Sequence, residues 1–64
     1  MTLYLFVNNI RIGRISQDKI HMMLLKQGLS WREIGNWLFD VTHNGHKEII
    51  PGVAIRTEKD ALGF

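Results

Sequence analysis

From Leu3 to Ile15 the chain reads LYLFVNNIRIGRI, two runs rich in β-branched and aromatic residues on either side of Asn8-Asn9. Such runs favour strands, and asparagine tolerates the positive φ that a tight hairpin turn requires. Folding the runs about that turn pairs Val7 with Ile10 and Leu5 with Ile12 on one face. Tyr4 and Phe6 fall on the other face, with Arg11 opposite Phe6 and Gly13 opposite Tyr4. The pattern predicts one apolar face suited to a core and a second face that is aromatic and basic.

The hydrophobic period then lengthens. In SQDKIHMMLLKQGLS, Ile20, Met23, Leu24 and Gln27 recur at helical spacing, and Met22 and Leu25 widen the apolar stripe. Ser16 is a good N-cap, Asp18 sits where the helix dipole favours negative charge, and Gly28 supplies a C-terminal stop. These signals predict a helix over roughly 17–27. Ser30-Trp31-Arg32-Glu33 reads as a capping box, in which the Ser and Glu side chains each satisfy an orphan amide. The helix it opens carries Trp31, Ile34 and Leu38 on one stripe with Trp37 beside it, and is expected to end near Phe39. Only Leu29 separates Gly28 from the cap, so the two helices meet at a tight corner.

The remainder returns to strand-like composition. Asn44-Gly45 is a strong hairpin signal, flanked by DVTH and HKEII, and Pro51-Gly52 marks a further turn before VAIRT. The last residues, EKDALGF, are too short and polar to assign. The predicted order is strand-strand-helix-helix-strand-strand, or five strands if VAIRT adds its own. The fold class is therefore α+β: a small antiparallel sheet from two β-hairpins, with two short helices on one face, in a single domain spanning 1–64.

Size sharpens this picture. A chain of 64 residues buries only about 60% of the surface its unfolded form exposes. A core of that size supplies roughly 3–5 kcal/mol. The chain has no cysteine, so disulfides cannot make up the shortfall; this fits a reducing cytosol and excludes a Cys-based zinc site. A homodimer is one way to gain the missing burial. The apolar run at the N-terminus is broken at Asn8, too short for a signal peptide or a membrane span, so a cytoplasmic protein without membrane contact is expected. The net charge of +2 permits nucleic acid as a partner without demanding it.

The stretch GLSWREIGNWL resembles the turn and second helix of a helix-turn-helix DNA-binding motif. Gly28, Leu29, Ser30, Ile34 and Trp37 match, in order, the motif's turn glycine, its inward apolar residue, its cap and two packing positions. The resemblance covers residues 17–38 and names a motif, not a family. It departs at Leu24, where the motif has a small residue, at Gln27, where it is more often apolar, and in lacking a third helix. The resemblance implies that Trp31, Arg32, Gly35 and Asn36 face outward, with Arg32 reading guanine and Asn36 adenine in the major groove. Ser30 would position a phosphate, Lys26 would touch the backbone, and the 40–50 hairpin would form a wing carrying His43, His46 and Lys47 near its tip. The same residues also write a plain αα-corner, with Trp31 in the core stripe and Glu33 and Asp40 opposing a phosphate-facing surface.

Two further constellations bear on chemistry. Across an Asn44-Gly45 hairpin, His43 and His46 would face each other and, with Lys47, could hold a metal or act as an acid–base pair. No third ligand or suitably spaced carboxylate accompanies them, and neither a nucleophilic triad nor a Gly-rich phosphate loop is present, so no enzyme, metal or cofactor is expected. Tyr4, Phe6 and Arg11 form a face that could stack single-stranded bases but more often is buried against a partner. Two readings follow. One is a small double-stranded-DNA-binding protein, a regulator or recombination accessory factor, using helix 30–39 and its wing. The other is a protein-interaction module or inhibitor working through the Tyr4/Phe6 face or a strand edge.

Overall fold

The computed structural model describes residues 2–63. Its elements are β1 (Leu3–Val7), β2 (Ile10–Ile15), α1 (Gln17–Lys26), α2 (Trp31–Asn44), β3 (His46–Ile50), β4 (Val53–Thr57) and α3 (Glu58–Leu62). The fold is α+β: two hairpins form one four-stranded antiparallel sheet in the order β2-β1-β4-β3. The central pairing, β1 with β4, joins the two hairpins through partners distant in sequence. The hairpin turns lie side by side at one end, where the Asn8 N–H donates to the Gly52 carbonyl at 2.7 Å.

The first hairpin closes where the sequence places it, with Asn8 and Asn9 at φ +50° and +67°. Its register is Val7 to Ile10 and Phe6 to Arg11, but a bulge between Leu5 and Phe6 then shifts the pairing. Leu5 therefore faces Gly13 instead of Ile12, and Tyr4 faces Arg14 instead of Gly13. The shift leaves Ile12 outside the pairing on the outermost strand, where it is 60% exposed, and Ile10 is 65% exposed. Neither is the core residue that simple alternation predicts. Of the β2 isoleucines only Ile15 packs against the core.

The second hairpin is not where the sequence reading puts it. DVTH is no strand: α2 runs to Asn44, and Gly45 caps it at φ +87° with its N–H bonded to the Val41 carbonyl at 2.8 Å. There is accordingly no 40–50 hairpin and no wing at that place. The reason is packing. Val41 extends the Ile34–Trp37 stripe by another turn and is 1% exposed, a burial that a surface hairpin could not give it. The real turn is Pro51-Gly52, with HKEII and VAIRT as its arms. EKDAL, unassigned from sequence, forms the short helix α3, capped by the Thr57 hydroxyl accepting from the Asp60 N–H at 3.3 Å.

Helices α1 and α2 cover one face of the sheet. The core between them is Leu3, Ile20, Leu24, Ile34, Trp37, Val41 and Ile55, with Leu5, Leu29 and Leu38 packed around it. Among the described residues no helix lies over the centre of the opposite face, and its cross-strand rows follow from the register. Arg14, Tyr4, Arg56 and His46 form one row; Arg11, Phe6, Ala54 and Glu48 form the next.

Candidate nucleic-acid interface

The corner between α1 and α2 is built as the sequence suggests. Gly28 adopts φ +88°, which a side chain would strain, and Leu29 turns inward onto the core. Ser30 then caps α2 in both directions: its hydroxyl accepts from the Glu33 N–H at 3.2 Å, and its own N–H donates to Glu33 Oε1 at 2.9 Å. The bond from the Ser30 amide, then that involving its hydroxyl, hold the Glu33 carboxyl below the ordinary carboxylate range. Both halves of the cap are thus engaged within the chain. An anion approaching this helix N-terminus would meet the Glu33 carboxylate already there.

Along α2 the inward stripe is Ile34, Trp37, Leu38 and Val41. The outward stripe, at helical spacing, is Arg32, Gly35, Asn36, Phe39 and His43, all exposed. Among the described residues the Arg32 and Asn36 side chains have no hydrogen bond or ion pair, and both are exposed. Gly35 sits between them in ordinary helical conformation, and a Cβ added there would meet nothing within 4 Å. The fold does not need a glycine at that position, and one costs about 1 kcal/mol relative to alanine in a helix interior. Phe39 is 62% exposed and meets the His43 ring edge-on at 4.2 Å. Asp40, at the border of the stripe, is paired with Lys47 Nζ at 2.7 Å.

The other residues read from sequence as DNA contacts are dispersed. Lys26 ends α1 and is exposed. Trp31 is not in the core stripe: it is 75% exposed, with its ring 4.2 Å from that of His21 on α1. His21 packs here with its Nε2 buried and, among the described residues, without a hydrogen-bond partner. His43 and His46 do not face each other across a hairpin. His43 belongs to α2, whereas His46 begins β3 and lies on the outer sheet face, its Nδ1 3.7 Å from Asp60. Lys47 points to the other face, toward Asp40. Among the described residues no group of three or more His, Asp or Glu is placed to hold a metal ion.

No protein-family model matches the chain, and no match was found among curated proteins or solved structures. Its own geometry therefore carries the functional reading. No helix among the described residues is long and apolar enough to cross a membrane.

Tyr4 and Phe6 lie on the sheet's outer face as the sequence predicts, but as rings they are largely hidden, 9% and 5% exposed. The guanidinium of Arg56 lies 4.2 Å above the Phe6 ring, and that of Arg11 lies 5.8 Å from the Tyr4 ring. What this face presents to solvent is arginine, with the aromatics beneath. Arg14, Arg56 and His46 belong to it and were not identified with it from sequence. Their placement depends on the bulge and on β1–β4 pairing, neither of which has a local signal. The alternation in VAIRT does carry a hint: it sets Ile55 and Arg56 on opposite faces.

Proposed function

We propose that the protein binds double-stranded DNA through the outward stripe of α2. The observation that carries this reading is the triplet Arg32, Gly35 and Asn36: two exposed side chains without a partner among the described residues, around a helical glycine whose surroundings are open. One turn apart, Arg32 and Asn36 are separated by about 5.4 Å along the helix, within reach of neighbouring base pairs. Arginine is suited to bidentate contact with guanine and asparagine with adenine. The missing Cβ at Gly35 would let the helix backbone approach the groove wall closely. Asp40 is neutralised by Lys47 and Glu33 is held by the Ser30 cap, so neither acidic group is unpaired beside the stripe. Lys26 and His43 would supply backbone contacts. Ser30, His46 and Lys47 are assigned other duties within the fold. The expected setting is a cytoplasmic regulator or recombination accessory factor.

A second reading, a protein-interaction module, is favoured by one specific observation. The outermost strand β2 presents Ile10 and Ile12 at 65% and 60% exposure beside a free backbone edge, where a partner strand, including that of a second copy, could add.

Fluorescence anisotropy with a labelled mixed-sequence duplex at low salt separates the two. Each bidentate base contact is worth about 1–3 kcal/mol, so Arg32→Ala with Asn36→Ala should weaken binding at least about tenfold without lowering the melting temperature. Wild-type binding should also fall steeply as salt rises. Equal duplex affinity of the double variant and wild type would overturn the α2 reading.

A further inference from the structure

We infer that the outer face of the sheet is a second binding surface, suited to a single-stranded nucleic acid. Three of the chain's four arginines, Arg11, Arg14 and Arg56, lie on this one face, around Tyr4 and Phe6. In the row Arg14–Tyr4–Arg56–His46 every side chain is either cationic, protonatable or aromatic. Arg11 and Arg14 have no ion-pair partner among the described residues, and both are exposed.

Arg56 is the centre of the arrangement. Its guanidinium carbon lies 4.2 Å from the centre of the Phe6 ring, and the group is only loosely tied at the edges: Nη2 to Asn9 Oδ1 at 3.4 Å, Nε to Asp60 Oδ2 at 3.7 Å. Both distances exceed the usual 2.9–3.0 Å or so of a good N–H···O bond, so its donors remain largely available. A guanidinium plane can stack on a nucleobase, and its edge can take a phosphate oxygen.

Beside Arg56 is a hollow of about 400 Å³ with Phe6 and Ala54 among its walls and Asn9, His46, Glu48 and Arg56 around it. That volume lies within the roughly 300–1,000 Å³ typical of small-molecule sites. The small Ala54 side chain, between Phe6 and Glu48 in its row, contributes to the space. The Glu48 carboxylate, the one acidic group in the two rows, accepts the Gly52 N–H at 2.9 Å. Asp60 sits 3.7 Å from both His46 Nδ1 and Arg56 Nε.

Charge selects the occupant. A second copy laid face to face would oppose two arginine-rich surfaces, whereas a polyanion is complementary to them. The guanidinium planes favour a strand whose bases are unstacked and free over a duplex, whose base faces are hidden. A four-stranded sheet presenting planar groups accommodates about two or three bases. This surface is opposite α1 and α2 and does not depend on the α2 reading.

The test is anisotropy with fluorescein-labelled ten-nucleotide oligo(dT) and oligo(rU) at low salt, using wild type, Arg14→Glu and, as a matched charge control on α1, Lys19→Glu. Arg14 is exposed on the outermost strand, and a thermal melt checks that its variant folds. Arg14→Glu should weaken oligonucleotide binding about tenfold or more, while Lys19→Glu stays within about threefold. The Arg56 Nε–Hε resonance should shift on titration of wild type, a readout that needs no variant. Absence of binding to both oligonucleotides, or equal losses from Arg14→Glu and Lys19→Glu with a silent Arg56 resonance, would overturn the proposal. Duplex binding through α2 could fail or succeed independently of either result.

Discussion

The two sides of α2 obey different rules. On the inward side every residue has a reason within the chain: Ile34, Trp37 and Val41 are 1%, 7% and 1% exposed and close the core over β3 and β4. On the outward side the residues do little for the chain's own stability. Gly35 weakens the helix without relieving a contact, Phe39 leaves its ring in water, and Arg32 and Asn36 bond to nothing described. A small domain with a stability near 3–5 kcal/mol has little margin for such choices. The contrast therefore separates residues that make the fold from residues that the fold displays.

The largest test of that contrast is on the inward side. Trp37→Ala should remove about 3–5 kcal/mol, comparable with the whole stability of a core this size, so the variant should show no cooperative thermal transition and a collapsed amide spectrum. Gly35→Ala should act oppositely on two readouts. Alanine should raise stability by about 1 kcal/mol, seen as a higher melting temperature, while duplex affinity falls because the new methyl stands on the approach path. A stabilised variant with unchanged affinity would mean that the glycine serves no partner. The smallest effect concerns the cap. The Glu33 carboxyl titrates below its ordinary range in the folded chain, so its contribution is fully present at neutral pH and is lost as pH falls through that lowered value. Glu33→Gln should abolish this part of the acid dependence, measurable by comparing melting temperatures of the two proteins between about pH 7 and pH 3.

Much of the architecture is legible from residues alone, and the exceptions share a cause. Asn8-Asn9 and Asn44-Gly45 carry the same local signal, a dipeptide tolerant of positive φ. One closes a hairpin and the other ends a helix. The dipeptide specifies only the left-handed residue; the preceding segment decides what it terminates. LYLFV is a short run of aliphatic and aromatic residues that pairs as a strand, whereas Ile34, Trp37 and Val41 continue a helical stripe through DVTH to Gly45. A similar limit applies to the bulge between Leu5 and Phe6, which reassigns the partners of Leu5 and Tyr4 and puts Ile12 in solvent. Both outcomes are decided by packing between distant segments, which no short window contains. The α1 and α2 caps, being local, read correctly: Ser16 and Ser30 both accept from the N–H three residues on. Of the residues expected to touch DNA, Arg32, Asn36 and His43 lie together on one stripe, because one helix holds them. His46 and Lys47 were tied to a hairpin that does not form, and they separate to opposite faces of β3.

The most direct test of the central claim is a two-dimensional amide NMR titration of 15N-labelled protein with mixed-sequence duplex DNA, at low salt and then at higher salt. The account predicts shifts concentrated at Arg32, Gly35, Asn36, Phe39 and His43, fading as salt is raised. A folded spectrum in which those five positions remain still while DNA is present in excess would contradict it.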